Sequence, residues 1–232
     1  MDILLVPGFW LDGESWAPVV GPLEAAGHRV HPLTLPGKDS ADADRSGIGL
    51  QDHVDAVVAR IDALDGPVTL VGHSGGGAII YAATDARPDR VARGVYVDSG
   101  PLADGGVIND EIPVDGADAP LPPWEFFEDE DLTDLTDELR AAFRARAVPE
   151  PARVTSDRQR LSDERRLGVP ITVIACEFSG EQLREWIAAG NPFVAESGRI
   201  ADVEIVDLPT GHWPQFTRPD DLAAALVAAV GR

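Results

Sequence analysis

The sequence predicts an α/β domain, with a mostly parallel sheet of about six strands, helices on both faces and one inserted lid. Short apolar, β-branched runs alternate with segments that carry apolar residues at helical spacing, which is typical of successive β-α-β units. The 232 residues are enough for one domain of this kind with a large core. The alternation stops only at residues 101–168. We therefore predict a core made of residues 1–100 and 169–232, and a lid made of residues 101–168.

The predicted strands are separated by segments with an apolar helical face. The strands are expected at residues 2–6, 29–35, 67–72, 91–98, 169–176 and 203–208. The helices are expected at residues 15–26, 54–64, 181–189 and 220–230, with one more directly after Ser74. The carboxyl ends of parallel strands lie along one edge of the sheet, and that edge is where such a sheet binds ligands.

The 101–168 segment is rich in Gly, Pro and Asp and contains one plausible helix, near residues 137–147. It is too small and too polar to form a core of its own, and it lies between two core strands, so a lid subdomain is the best interpretation. Its acidic stretch, residues 129–137, lacks the mid-loop glycine and the ligand spacing of a calcium loop. A solvated acidic face is the better prediction for that stretch.

The composition excludes several classes of partner. A net charge of −21 argues against nucleic acids and anionic membranes, which require clustered Lys and Arg. No apolar run approaches the ~20 residues that cross a bilayer, and the apolar run at residues 3–6 lacks the basic leader of a signal peptide. The one cysteine, Cys176, lies within an apolar run, so no disulfide framework is expected. These features predict a cytoplasmic protein.

The stretch from Gly72 to Gly76 reads Gly-His-Ser-Gly-Gly and joins a predicted strand to a predicted helix. A chain that turns this sharply brings the positions two residues before and after the serine into contact, so both must be glycine. The turn raises the Ser74 hydroxyl above the end of the sheet, close to the N–H groups of the new helix. An ordinary glycine-rich turn is the alternative, but the strand before it and the helix after it favour a nucleophile.

A serine hydroxyl needs a base to remove its proton, and five histidines are available. His28, His31 and His53 precede the turn at residues 72–76, which we call the elbow, and are expected to be surface or packing residues. His73 adjoins Ser74, but neighbouring side chains at a strand end point in opposite directions. The remaining residue, His212, follows the last predicted strand in a turn that can direct its ring along the sheet edge. We therefore predict His212 as the base.

A buried carboxylate is needed to orient the histidine and to stabilise its charged form. Asp98 ends the strand that follows the elbow helix, and Glu177 ends the next core strand, so both lie at the correct edge. An aspartate directly after three apolar strand residues has little room for water and needs a partner. Asp98 is therefore the favoured acid and Glu177 is the alternative; for Asp98, a cap or turn role is the competing interpretation.

Two backbone N–H groups are expected to bind the oxyanion that forms during attack. Gly75 follows the nucleophile and opens a helix, and Phe9 lies in the glycine-containing loop after the first strand. Large side chains in the loops and the lid around this edge predict an apolar substrate pocket. These pocket candidates are Trp10, Trp124, Phe126, Phe127 and Trp213. For the three in the lid, packing of the lid against the body is an equal alternative.

Three motifs together resemble the α/β-hydrolase superfamily over nearly the whole chain. They are the Leu-Val-Pro-Gly-Phe-Trp of residues 5–10, the elbow of residues 72–76 and the Gly-His-Trp of residues 211–213, and the order serine, acid, histidine is that of the superfamily. The compact build is similar to the methylesterase and hydroxynitrile-lyase group. The resemblance implies an α/β-hydrolase fold, Ser74 as nucleophile and no need for a metal or an organic cofactor.

The chain departs from that group at three positions. The group has His-Gly before the oxyanion residue, where this chain has Pro7-Gly8. The group carries its acid at the position that corresponds to Ser179, so the usual acid is missing here and Asp98 is favoured. Some haloalkane dehalogenases place their acid after the earlier strand, in a segment similar to the one that ends at Asp98. Hydroxynitrile lyases of this group use a lysine near the catalytic histidine, and this chain has no lysine near His212. Dehalogenases and epoxide hydrolases use an aspartate nucleophile, so Ser74 also argues against both of those activities.

The sequence therefore predicts a serine hydrolase of small or medium apolar esters, with thioesters and lactones as variants. Two alternatives stay open at this point. One is a hydrolase-like binding protein with little turnover, and the other is a cofactor-free lyase or oxygenase on the same fold. The sequence predicts neither the physiological substrate nor the oligomeric state.

Overall fold

A computed structural model of the chain describes residues 1–231 and contains a six-stranded, fully parallel sheet in the order β2-β1-β3-β4-β7-β8. A separate antiparallel pair, β5 with β6, belongs to the segment between β4 and β7. The strands are β1 (Asp2–Val6), β2 (Arg29–Pro32), β3 (Val68–His73), β4 (Val91–Val97), β5 (Asp118–Ala119), β6 (Glu150–Pro151), β7 (Ile171–Ala175) and β8 (Val203–Asp207). The predicted fold class is confirmed.

Helices cover both faces of the sheet. They are α1 (Ala17–Ala25), α2 (Leu50–Asp62), α3 (Gly75–Ala86), α4 (Asp137–Arg146), α5 (Ala152–Ser156), α6 (Gly180–Ala188), α7 (Pro214–Thr217) and α8 (Pro219–Val230). α1 packs against α8 on one face, and α2 packs against α3 on the other. Within residues 1–231, no helix combines the length and the apolar character needed to cross a membrane.

Alternating side chains of the buried strands supply the two cores. In β1, Ile3 and Leu5 face α1 and α8, whereas Leu4 and Val6 face the α2–α3 side. All five residues of β1 are buried, as expected for a strand with a helical layer on each face. The burial of both faces fixes the register of the sheet and therefore fixes which strand ends are neighbours at the ligand-binding edge.

Residues 101–168, which we call the insert, contain β5, β6, α4 and α5 joined by long turns. The insert is tied to the rest of the chain by long-range backbone hydrogen bonds. Val148 N donates to Trp10 O (3.0 Å), and His212 N donates to Asp131 O (2.9 Å). Both bonds reach loops that follow strands of the large sheet, so the insert lies at the edge where the candidate catalytic residues are found.

Two strands, β2 and β7, are each three residues shorter in the structure than the sequence pattern predicts. β2 ends at Pro32, whereas the sequence pattern predicts a strand that continues to residue 35. The last hydrogen bond that this edge strand makes to β1 is from Leu33 N to Leu5 O (2.9 Å), and the chain then leaves the sheet.

Candidate active site

Ser74 occupies a strained turn between β3 and α3, with φ 51° and ψ −126°. A Cβ atom on Gly72 would lie 2.5 Å from Gly76 O, and one on Gly76 would lie 2.7 Å from both Val6 O and Pro7 O. These separations are impossible for real Cβ atoms, so the turn requires glycine at both positions. The arrangement is the one that the Gly-x-Ser-x-Gly spacing predicts.

The His212 ring lies beside the Ser74 hydroxyl. His212 Nε2 is 2.7 Å from Ser74 Oγ, which is a hydrogen-bond distance. The backbone on either side is held by the insert, since Gly211 N donates to Thr133 O (3.1 Å) and His212 N donates to Asp131 O. A Cβ on Gly211 would overlap both of those carbonyl oxygens, so this glycine permits the close approach.

Asp98 completes the chain of hydrogen bonds. Its Oδ2 accepts a hydrogen bond from His212 Nδ1 at 2.7 Å, and its Oδ1 accepts from the backbone N–H groups of Cys176 (2.9 Å) and Glu177 (3.2 Å). Its side chain is fully buried. Glu177, the alternative acid, places Oε2 3.5 Å from the same Nδ1 and is partly exposed. The structure therefore brings both carboxylates to His212, with Asp98 at the hydrogen-bond distance.

The two carboxylates control the charge of the histidine. Burial alone would lower the pKa of His212, but the hydrogen bond to Asp98 and the neighbouring Glu177 outweigh burial and raise it. Glu177 also faces Asp131 of the insert. Burial, together with the nearby Glu177 carboxyl, raises the pKa of Asp131 to about 6. Two carboxyl groups therefore lie against the imidazole, and a third, on Asp131, lies next to Glu177.

Phe9 and Gly75, the two residues predicted to supply oxyanion donors, line the same pocket as Ser74. Gly75 is the first residue of α3, and the first N–H groups of a helix have no intrahelical acceptor. Phe9 N donates no backbone hydrogen bond in the described chain, and the Phe9 ring covers Gly75, where a Cβ would lie 2.7 Å from it. A Cβ on Gly8 would lie 2.9 Å from Ser74 Cβ, so glycine is needed for the loop to approach the nucleophile.

A pocket of about 470 Å³ opens above Ser74 and His212. Its apolar wall includes two residues predicted from the oxyanion loop and two from the insert, namely Phe9, Trp10, Phe126 and Phe127. Ile108 and Ile112 of the insert extend that wall. Glu111, Glu128 and Asp131 supply acidic groups. No lysine or arginine among the described residues lines this pocket.

Trp124 and Trp213 were also predicted to line the pocket, and the structure places them behind it. Trp213 is almost fully buried, and its ring lies 5.3 Å from that of Phe127 and 6.1 Å from that of Trp124. Both tryptophans also stack with Phe143 of α4. They therefore support the wall that Phe127 presents to the pocket. For Trp124 this is the packing alternative given above, whereas for Trp213 only a position in the pocket lining is predicted.

Comparison with known proteins identifies the family. Residues 3–225 match the model of the alpha/beta hydrolase family. The chain belongs to the alpha/beta hydrolase family. This membership confirms the resemblance that the three sequence motifs carry, and it agrees with the parallel sheet and with the strand–Ser74–helix turn.

Individual relatives resemble parts of this chain in sequence and all of it in fold. A pyrethroid hydrolase of Sphingobium wenxiniae is 37% identical over 97 residues, which cover 41% of this chain and 35% of that relative. An extracellular alpha/beta-hydrolase from a Paenibacillus species superposes with a TM-score of 0.78 at 21% identity, over 99% of this chain and 98% of that chain. The Arabidopsis methylesterase MES16 superposes with a TM-score of 0.77 at 19% identity, over 100% and 99%.

The matched stretches span 35% to 41% of the lengths of the curated relatives. At identities of 19–21%, the two structural matches show the shared fold alone.

The sequence analysis does not identify a group that contacts His212, the predicted base. His73 Nε2 lies 2.6 Å from the His212 carbonyl oxygen, which can only accept, so the proton is on Nε2. Burial lowers the pKa of His73 to about 3 and keeps the ring neutral. Its Nδ1 then accepts from the Gln215 side-chain amide at 3.3 Å. The buried position of His73 was visible in the sequence, but its partner more than a hundred residues away was not.

The other histidines lie away from the nucleophile. His31 lies 2.8 Å from both Asp2 and Arg60, and His53 Nε2 lies 2.9 Å from Pro36 O. As for metals, the ligand atoms of Asp98, Glu177 and His212 lie within 4.8 Å of one another. A metal ion there would replace the short Asp98–His212 hydrogen bond, which orients the ring for Ser74.

Proposed function

We propose that this protein is a serine hydrolase that cleaves small or medium apolar carboxylic esters through an acyl-enzyme on Ser74. One observation carries the proposal: Ser74 Oγ, the two nitrogens of His212 and Asp98 Oδ2 form a continuous chain with both links at 2.7 Å. Such a chain gives a serine hydroxyl the base and the orienting acid that it needs for attack on a carbonyl.

The geometry supports a division of roles among these residues. His212 takes the proton of Ser74 as the hydroxyl attacks the ester carbonyl, and Asp98 stabilises the resulting imidazolium. The N–H groups of Phe9 and Gly75 bind the oxyanion. His212 then gives its proton to the departing alcohol, and a water molecule repeats the sequence on the acyl-enzyme. No step in this scheme calls for a metal or an organic cofactor.

The pocket supports the substrate class. A volume of about 470 Å³ suits a small or medium ester, and the apolar wall of Phe9, Trp10 and Phe127 suits a hydrophobic group. One of the matched relatives is a pyrethroid hydrolase, which is compatible with a neutral apolar substrate for this chain. We further propose that residues 101–168 act as the lid, because they supply the part of the wall that includes Phe127 and Ile112.

Replacement of the nucleophile tests this proposal. Ser74→Ala should lower the hydrolysis of p-nitrophenyl esters by about 10⁴-fold or more, because the oxyanion donors alone leave only a small residual rate. A fluorophosphonate probe should label the wild-type protein at Ser74 and leave the Ser74→Ala variant unlabelled. Wild-type turnover by the variant would refute the mechanism, and an unlabelled, inactive wild-type protein would favour a binding protein.

A further inference from the structure

The only lysine of the chain, Lys38, is buried in an ion pair with Glu150 of the insert. Lys38 Nζ lies 2.7 Å from Glu150 Oε2 and also donates to the carbonyl oxygens of Val148 (2.9 Å) and Pro149 (3.4 Å). The three protons of the ammonium group therefore all have acceptors. Burial of a charged pair carries a large desolvation penalty. A buried lysine at this position therefore needs a structural or functional reason.

The same carboxylate oxygen contacts the loop that carries the proposed oxyanion donor. Glu150 Oε2 accepts a hydrogen bond from Trp10 N at 3.4 Å. Trp10 O accepts from Val148 N at 3.0 Å, and the Trp10 indole donates to Ala119 O at 3.1 Å. Ala119 and Glu150 are paired across β5 and β6. The insert thus holds the residue after Phe9 by its N–H, its carbonyl and its side chain.

These contacts hold Trp10 in a conformation that it would not adopt freely. Its φ of 62° lies in the left-handed region, which is unfavourable for a bulky residue. The peptide that joins Phe9 to Trp10 carries Phe9 O and Trp10 N, so fixing Trp10 N and its φ also fixes Phe9, the residue whose N–H is the predicted donor and which lines the pocket with Ser74. A small loss of alignment in an oxyanion donor costs rate because the donor must fit the transition state.

We propose that Lys38 and Glu150 are positioning residues for the oxyanion hole. Lys38 fixes the Glu150 carboxylate, the carboxylate holds Trp10 N, and the strained Trp10 keeps the Phe9 N–H aligned above the nucleophile. This inference rests on the proposed hydrolase function. It also gives the insert a catalytic task separate from covering the substrate, since the β5–β6 pair completes a donor site that the large sheet alone does not hold.

Two double variants isolate the acceptor for Trp10 N. Lys38→Met with Glu150→Leu removes both charges and the acceptor, and Lys38→Met with Glu150→Gln removes both charges but keeps an oxygen acceptor. Replacing a buried ion pair by neutral groups of similar volume is usually compatible with folding. With a p-nitrophenyl ester, we expect the Leu pair to lose about 10–100-fold in kcat with KM within about threefold. The Gln pair should recover most of that loss.

A second measurement separates positioning from general stability. A boronic acid inhibitor forms a tetrahedral adduct with the serine, so its affinity should fall in step with kcat in the Leu pair. A neutral, non-reacting competitive inhibitor should keep its affinity. The matched control is Asp85→Asn, which breaks a buried ion pair with Arg166 that also holds Ser162 and Asp163 of the insert. It should lower the melting temperature and leave kcat unchanged.

The outcomes distinguish this inference from the proposed function. If the Leu pair keeps wild-type kcat and boronate affinity, or if Asp85→Asn loses kcat equally, the positioning role is wrong and the triad proposal stands. Equal rates in the Gln and Leu pairs would also overturn it, because the acceptor would then make no contribution. If the wild-type protein is neither active nor labelled at Ser74, the proposed function fails, and this inference fails with it.

Discussion

Backbone strain in this protein is concentrated at the candidate active site. Four non-glycine residues among those described have a clearly positive φ, and three of them are Trp10, Ser74 and Asp98. Each such conformation costs about 1–3 kcal/mol and persists only where the surroundings determine it. Ser74 is forced by the glycine-lined turn, Asp98 by the backbone donors of Cys176 and Glu177, and Trp10 by the insert. The strain falls on residues proposed to carry or position the reacting groups.

The second carboxylate near His212 leads to a prediction about pH. The imidazole acts as a base only when neutral, so activity should fall as the pH drops through the pKa of His212, which the two carboxylates raise. Glu177→Gln removes one of these charges, so the acidic limb of the kcat/KM profile should move to lower pH by about half to one pH unit. The measurement is a pH profile of ester hydrolysis by the wild type and by this variant.

Asp98→Asn is the comparison for that experiment. It removes the hydrogen-bonded carboxylate and should lower kcat by about 10⁴-fold, whereas Glu177→Gln should keep most of the wild-type kcat at its pH optimum. The reverse ranking would identify Glu177 as the acid. An acidic limb that does not move in Glu177→Gln would show that its carboxylate does not act on His212.

At the scale of elements, the junction of β1, β3 and α3 depends on close backbone packing. Gly76→Ala would place a Cβ 2.7 Å from Val6 O and Pro7 O, both of which belong to the buried end of β1 and the following loop. We expect a loss of about 1–3 kcal/mol in the free energy of unfolding, as is usual for overpacking. Urea denaturation followed by circular dichroism measures it.

The same substitution in α1 is the matched control for Gly76→Ala. Gly21 is exposed, and a Cβ there would have no neighbour within 4 Å. Alanine is the better helix former, but Pro22 follows Gly21, and a proline ring crowds the Cβ of a preceding helical residue, which offsets part of that gain. Gly21→Ala should therefore change the free energy of unfolding by less than about 0.5 kcal/mol, whereas Gly76→Ala should clearly lower it. If both variants change the free energy of unfolding by the same amount, the close backbone contacts of Gly76 do not exclude a side chain at that position.

The elements of the large sheet could be predicted because each of them carries a local signal. All six strands and the helices around Ser74 follow from apolar periodicity and glycine positions, and the order of Ser74, Asp98 and His212 follows from the strand ends. β5 and β6 have two residues each, too few for any periodicity, and they form through long-range contacts such as Val148 with Trp10. The sequence does predict an inserted segment with a helix near residues 137–147, which corresponds to α4. The pairing of β5 with β6 and the long-range contacts of His73 and Glu150 could not be predicted from local pattern.

At the scale of the whole molecule, the strong negative charge extends into the pocket. The chain has a net charge of −21, and Glu111, Glu128 and Asp131 line the pocket without a lysine or arginine beside them. Salt at 0.15 M screens charges beyond about 8 Å, so distant carboxylates contribute little to selectivity at that ionic strength, whereas those in the pocket still act on a bound substrate. An ester with a carboxylate in its acyl chain should therefore be a poor substrate.

A charge-matched pair of esters tests this selectivity. At 0.15 M salt, kcat/KM for an ester with a carboxylate should be at least about tenfold lower than for a neutral ester of the same size, since each nearby charge contributes about 1 kcal/mol. The double variant Glu111→Gln with Glu128→Gln should reduce the ratio of these two kcat/KM values severalfold, and it should not change kcat/KM for the neutral ester. Glu125 is exposed and does not line the pocket, so Glu125→Gln should leave the kcat/KM ratio of the two esters unchanged. If Glu125→Gln reduces that ratio equally, the discrimination arises from the overall charge of the protein and not from the carboxylates of the pocket.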